Sequence, residues 1–480
     1  MTCTCCINRR GLLRFGAGLV AAGAALKAER VAAQTSVPAA AGAVPSRGEI
    51  LLRGGQVLTM DATLGDLAAG DVHIRDGAIV AVGPQLQAPG AEVIDCSDMI
   101  VLPGFVDTHW HLWCTQLRMA IRADDPQQGY FPTTLRVGRF CTPADSAVGV
   151  RLGVAEGLLS GITTVHDWSH NTVSPEHADA EIAALREMGV RARFSYGTPQ
   201  GLAGDRSMDL ADLARVQRQH ASSDGMLGIG ACLRTPGVQG SRGSIPVEMF
   251  RSEMQAIRRL GLPMTLHCGP RGLVELMAQN DLLGPDMLMV HPQGMNPAEL
   301  EATGKARSPW SMAPVIEMSY SAVRSGLIQY DELNRMGVPL GLSIDASAAT
   351  NADYFNVMRA LMWSDWQRNG APQRLKPKRL VELATIEGAK LMGLGDKVGS
   401  LVPGKRADVV AVRKSDINMA PVGDPYYAIV FQGQPANVDT VLVDGRILVR
   451  QGRHTAVDVP KLVREAAESA RGIAERARAG

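Results

Sequence analysis

Hydrophobic positions along the chain follow one rhythm at its two flanks and another in the middle. Between residues 49 and 100, ILLRGGQVLTMD, DVHIRDGAIVAVG and AEVIDC are brief apolar runs broken at Gly and Asp, the pattern of short hairpin strands. The same pattern returns between residues 398 and 455 in ADVVAVR, AIVFQG and TVLVDGRILVRQG. Strands on both sides of a long central segment predict one small composite β-sandwich domain, with halves at 49–100 and 398–455.

The central segment, 101–397, alternates short apolar runs with helical stretches. Eight runs read as strands: LPGFVDTH, ITTVHDW, RARFSYG, MLGIGACL, LPMTLH, MLMVH, the weaker RSPWSM, and VPLGLSID. Between them, SPEHADAEIAALREMG starts with Ser174 as cap and Pro175 in the first turn and stops at Gly189, and VEMFRSEMQAIRRLG stops at Gly261. Eight strand–helix alternations predict an α/β fold, a (β/α)8 TIM barrel whose chemistry sits at the C-terminal ends of its strands. Residues 456–480 carry LVREAAESARGIAERARA and predict a solvated amphipathic C-terminal helix.

The first 34 residues are of another kind. Arg9 and Arg10 precede Gly11, Leu12 and Leu13, a modest apolar stretch follows, and small residues lie around Ala32 and Ala33. This reads as an export signal resembling the twin-arginine pattern, so a periplasmic or secreted location is expected. Residues 35–48, rich in Ala, Pro, Ser and Gly, read as a linker. No later segment reaches 18 uninterrupted apolar residues, and no stable membrane association is expected.

Composition narrows the partners. Of 480 residues 46% are apolar, and 49 lysines and arginines against 48 acids leave a net charge of +1, which offers no footprint for nucleic acid. A small-molecule substrate is expected, and an assembly of identical copies is compatible with the sequence. Outside the leader, Cys96, Cys114, Cys141, Cys232 and Cys268 form an odd, scattered set and predict no disulfide framework.

The candidate chemistry begins at FVDTHWHLW. On a strand, alternate side chains share a face, so Asp107, His109 and His111 point into the barrel while Trp110 points to the helix layer. His267 ends the fifth predicted strand, His291 the sixth and Asp345 the eighth. Three histidines and a carboxylate suit one divalent ion with a water position left open, zinc first and Fe(II) second. Trp113, Gln116 and Arg118 follow the first strand in a loop-rich stretch and are expected to wall a substrate pocket. Structural roles are expected for His166, Asp167 and His170 at the end of the second strand. Trp310, Glu317 and Tyr320 cluster around the seventh.

VLPGFVDTHWHL, the later His, His and Asp, and the closing EGAKLMGLGDKVGSLVPGKRADVVAV resemble the amidohydrolase superfamily across residues 49 to 450. The pattern is most similar to its triazine chlorohydrolase and nucleobase deaminase branch. The resemblance implies a mononuclear site of His109, His111, His267 and Asp345, with His291 polarising the substrate or orienting the water and Asp345 as the proton carrier. Two-metal relatives bridge their ions with a lysine around strand 3 or 4, and this chain has no lysine between Lys27 and Lys305. Deaminases of the branch carry His-x-x-Glu at strand 5, where this chain reads His267, Cys268, Gly269, Pro270. Proline cannot shuttle a proton. Metal-dependent hydrolysis of an amide or cyclic amide C–N bond is therefore the expected activity, with Glu317 a substrate-side candidate for the missing acid. Deamination or dechlorination of a nitrogen heterocycle is the alternative, and a non-catalytic scaffold is disfavoured because all four ligands are retained.

Overall fold

Eight parallel strands form a single sheet in strict sequence order: Phe105–Trp110 (β1), Ile162–Ser169 (β2), Arg191–Tyr196 (β3), Leu227–Leu233 (β4), Met264–His267 (β5), Met287–Val290 (β6), Trp310–Met312 (β7) and Leu340–Leu342 (β8). The computed structural model describes residues 44–480 apart from 123, 238–243, 270, 322–324 and 371–374. The leader and most of the 35–48 linker lie outside the described residues, as does Pro270.

All eight barrel runs seen in the sequence are strands, including the weak seventh, which survives as only Trp310–Met312. The first differs at its start. Met99–Pro103 belongs to the second sheet, and the barrel strand begins only at Phe105. Gly104 makes the crossing: its N–H donates to the Asp408 carbonyl at 2.9 Å, and a Cβ there would lie 2.1 Å from Thr163 Oγ1. An unbroken apolar run on both sides of that glycine hides the boundary from the sequence.

Closure of the barrel is made by residues of the predicted metal site. β1 and β8 meet at a parallel bridge between Trp110 and Asp345, where Asp345 N–H donates to the His109 carbonyl at 2.9 Å and His111 N–H to the Asp345 carbonyl at 2.6 Å. The buried Asp107 carboxylate reinforces the seam. Its Oδ2 accepts from Ile344 N–H at 2.7 Å and its Oδ1 from His109 N–H at 3.0 Å. Behind the seam, Trp110 faces the helix layer as the alternation requires, fully buried, with its indole N–H donating to Ser347 Oγ at 3.0 Å. Truncating so large a core side chain typically costs about 3–5 kcal/mol.

The flanking strands pair across the two halves, Met99–Pro103 running antiparallel to Val409–Arg413, but the run AIVFQG is no strand and forms the π-helical turn Ala428–Gln432. They form one continuous nine-stranded mixed sheet rather than two separate layers, over its own apolar core of Ile50, Leu52, Val72, Ile74, Val101 and Val409 among others. Arg191, the first residue of β3, fastens the barrel to this sheet. Its Nε and Nη2 donate to Asp408 at 2.8 and 2.9 Å, and Asp408 in turn accepts from Asp444 N–H at 2.9 Å. The C-terminal helix Val459–Ala479 is amphipathic, and it buries Leu462, Ala466 and Ile473. Ser469 Oγ donates to Asp145 Oδ1 at 2.6 Å, docking it on the helix Pro143–Leu159. Among the described residues no helix is long and apolar enough to cross a membrane.

Candidate active site

Side chains from β1 and from the ends of β5, β6 and β8 converge at the C-terminal mouth of the barrel. His109, His267, His291 and Asp345 each offer a donor atom within 4.8 Å of the others. His111 joins them, its Nε2 lying 3.2 Å from His267 Nε2 and 3.3 Å from Asp345 Oδ1. Asp345 Oδ1 is also 3.3 Å from His109 Nε2, while Oδ2 lies 3.8 Å from His291 Nε2. The two oxygens thus divide the cluster, Oδ1 toward the first strand and Oδ2 toward the sixth.

The ring nitrogens identify what the cluster can hold. His111 donates from Nδ1 to the Trp168 carbonyl at 3.3 Å, which turns its Nε2 toward His267. His109 is wholly buried, and neither of its nitrogens has a hydrogen-bond partner. Buried polar atoms are nearly always satisfied, so converging unprotonated imidazoles beside a carboxylate fit a cation that accepts their lone pairs. Burial holds His109 down to about 3 and His267 well below the ordinary imidazole value, so both are neutral donors. Burial alone would raise Asp345, but the imidazoles of His109 and His111 against it hold its carboxyl well below the usual range. The donor set matches zinc or another divalent ion of similar preference.

Backbone geometry sets two of these residues apart. His291 has φ 71° and Asp345 φ 69°, the left-handed region that non-glycine residues rarely enter. Across Asp345, Ala346 N–H returns to the Ile344 carbonyl at 3.1 Å, a γ-turn with the φ of the rare, strained class. These turns swing the two side chains over the barrel mouth, and such strain gathers at functional sites. Of the cluster, His267 and His291 are partly exposed while His109, His111 and Asp345 are buried, so its open side lies at the ends of β5 and β6.

Other expectations fare differently. Gln116 is turned into the protein, its amide donating to the Asp145 carbonyl at 3.0 Å beneath the helix Pro143–Leu159, so it does not wall the pocket. Trp113 is fully buried; its indole N–H donates to His170 Nδ1 at 3.2 Å, one ring removed from His111. Arg118 reaches Glu156 at 2.7 Å, away from the histidines. The eight-residue 3-10 helix Leu112–Met119 causes all three corrections, because it rolls the chain inward where an open loop was expected. Glu317, expected on the substrate side, is 0% exposed and pairs with His291, Oε1 to Nδ1, at 3.0 Å. Trp310 is core, and the Tyr320 side chain lies outside the described residues.

His166 has the structural role expected of it, bonding the Thr108 carbonyl at 2.9 Å and Ser195 Oγ at 2.7 Å. His170, also expected in a structural role, lies 4.1 Å from His111, while sequence reasoning missed two aromatic supports: Trp168 stacks on His267 with ring centres 4.1 Å apart, and Tyr130 stands 5.7 Å from His111. Alternation along ITTVHDWSH could have paired Trp168 with His166 and His170, but nothing local signals Tyr130.

Comparison with known proteins adds the family. A model described as amidohydrolase family matches residues 100–448. Among curated proteins, the chain is 25% identical over 454 residues to a 5'-deoxyadenosine deaminase of Methanosarcina acetivorans, covering 90% of this chain and 100% of that one. It is 28% identical over 433 residues to an 8-oxoguanine deaminase of Pseudomonas aeruginosa, covering 82% and 93%. Among solved structures, an adenosine deaminase from Xanthomonas campestris with bound zinc superposes with a TM-score of 0.78 at 22% identity, covering 91% of this chain and 100% of that one. An atrazine chlorohydrolase from Arthrobacter aurescens complexed with zinc gives 0.76 at 22% identity, covering 88% and 100%.

Proposed function

The chain belongs to the amidohydrolase family, and from that premise we propose that it hydrolyses an amide, cyclic amide or related C–N bond of a small molecule at a single divalent ion, zinc before Fe(II), held by His109, His111, His267 and Asp345. The observation that carries the reading is the convergence of imidazole nitrogens on one carboxylate at the seam where the barrel closes, with neither nitrogen of the buried His109 hydrogen-bonded. An ion bound there supplies Lewis-acid activation, bringing the pKa of water from near 16 to roughly 7.

The chain's own residues move the proton. Asp345 Oδ1 is engaged with the first-strand imidazoles, so Oδ2 is the oxygen free to take a proton and return it to the leaving group. Burial lowers the His291 pKa, but the hydrogen bond to Glu317 and the nearby carboxylates outweigh it and raise the ring above its ordinary value. With its Nδ1–H given to Glu317, the ring presents Nε2 beside Asp345 Oδ2 as an acceptor that orients the attacking water. Trp168 and the buried wall around it keep His267 in place and exclude water from that side.

Proline at 270 favours an amide-like bond over ring deamination, because the glutamate that protonates a ring nitrogen in similar deaminases has no counterpart at that position. The second reading, deamination or dechlorination of a nitrogen heterocycle, is supported by the similarity to a 5'-deoxyadenosine deaminase and an 8-oxoguanine deaminase. A panel of cyclic amides, carbamates, aminopurines and chlorotriazines decides between them. Ring-opened or amine products support the first reading, and ammonia or chloride released from an intact ring supports the second. The paired arginines at 9 and 10 further suggest twin-arginine export to the periplasm, which cell fractionation of the full chain would test.

A further inference from the structure

Glu317 is the first residue of a π-helical turn, Glu317–Ser321, that follows β7 almost at once. Turns of this kind are rare and frequent at functional sites. Its side chain is sealed from solvent and so cannot meet a substrate, yet its Oε1 sits 3.0 Å from His291 Nδ1. The far nitrogen of the same ring, Nε2, faces Asp345 Oδ2 at 3.8 Å. Gln293, two residues after His291, donates its amide to the Glu317 carbonyl at 3.2 Å, so the turns after β6 and β7 are tied twice. His291 itself lies beyond the last residue of β6 with a left-handed backbone, and the sheet ladder does not fix its ring.

We propose that Glu317 is a positioning residue that holds His291 with its proton on Nδ1 and presents Nε2 to the reacting atoms, a role in turnover that rests on the hydrolytic reading above. A carboxylate accepts but does not donate, so a ring bonded to it through Nδ1 has its orientation and its neutral tautomer fixed together. The acid of strand 7 thereby acts through the histidine of strand 6 and does not replace a proton shuttle at strand 5.

The test is 15N NMR of the metal-loaded, histidine-labelled protein, with the His291 signal assigned by its loss in His291→Asn, alongside kinetics on the best substrate of the panel. Wild type is expected to show the neutral His291 ring protonated at Nδ1. Glu317→Gln, which keeps an oxygen able to accept, should retain that signature and lose less than about tenfold in kcat. Glu317→Leu should lose the signature and about 10–100-fold in kcat, with KM and metal content unchanged. Where the leucine variant does not fold, Glu317→Asp withdraws the carboxylate from Nδ1 and should weaken the signature in the same direction. A leucine or aspartate variant that keeps Nδ1 protonated, or variants whose kcat falls only in step with metal content and Tm, would overturn the proposal. If wild type hydrolyses nothing in the panel, the hydrolytic reading fails while the tautomer still decides the position of the proton.

Discussion

The two ends of the barrel each bury a cluster of ionisable side chains, and they are completed in different ways. At the N-terminal end, Arg191 is matched bidentately by Asp408, and Asp444 beside it accepts from Arg47, Arg406 and Arg446. Every charge there has an opposite charge in the chain. At the C-terminal end four imidazoles surround one carboxylate, ring nitrogens face each other at 3.2 Å, and neither His109 nitrogen is hydrogen-bonded. A cluster that satisfies itself is a fastening; one that does not is arranged for something the chain lacks.

The largest expected effect is at the mouth. Asp345→Asn keeps the size of the side chain but cannot take a proton, so kcat should fall by about 10³-fold or more while the melting temperature stays near that of wild type. Residual activity near a tenth of wild type in steady-state assays would remove Asp345 from the proton-carrying role. At the other end, Arg191→Met leaves Asp408 buried without its partner and should cost about 3–5 kcal/mol of stability, read by urea denaturation, with metal content and KM of the folded fraction unchanged. If metal content fell with it, the two ends would not be independent.

Acid separates the ends in a metal-free sample. His109 is held down to about 3 by burial, and His267 is depressed in the same direction. Below the ordinary imidazole value of about 6.5 the unfolded chain takes up protons that the folded chain refuses, so stability falls as pH drops from about 6.5 toward 3. Asp444 responds lower. Burial would raise it, but Arg406 and Arg47 hold it below its ordinary value, so the stability it provides is lost only below about pH 4. Thermal melts at pH 8 and pH 5 should therefore differ clearly for chelated protein and much less for metal-loaded protein. Equal sensitivity in both would assign the loss to other groups.

The smallest effect is expected between the ends. Gln116→Leu removes one buried hydrogen bond to the Asp145 carbonyl and should cost about 1–2 kcal/mol without changing kcat or KM. A specific rise in KM would return Gln116 to the pocket wall.

How much of this was legible follows the same division. Strand periodicity located all eight barrel strands, and because a barrel presents strand ends at one face, His109, His111, His267, His291 and Asp345 could be brought together from distant positions. What depends on how the chain turns after a strand was not legible. Trp113 and Gln116 were expected in an open loop, but a 3-10 helix rolls them inward, and no composition signal marks that choice. Glu317 was noticed for its charge and placed on the substrate side, while the π-helical turn that aims it at His291 appears only in three dimensions. The Arg191 fastening went unseen because its partners lie 217 and more positions away and charge alone does not pair them.

Metal analysis of the purified protein, beside His109→Ala and Asp345→Ala variants shown to be folded, tests the central claim most directly. The account predicts one divalent ion per chain in wild type and little or none in either variant. Two ions per chain, or a full complement retained by both variants, would contradict it.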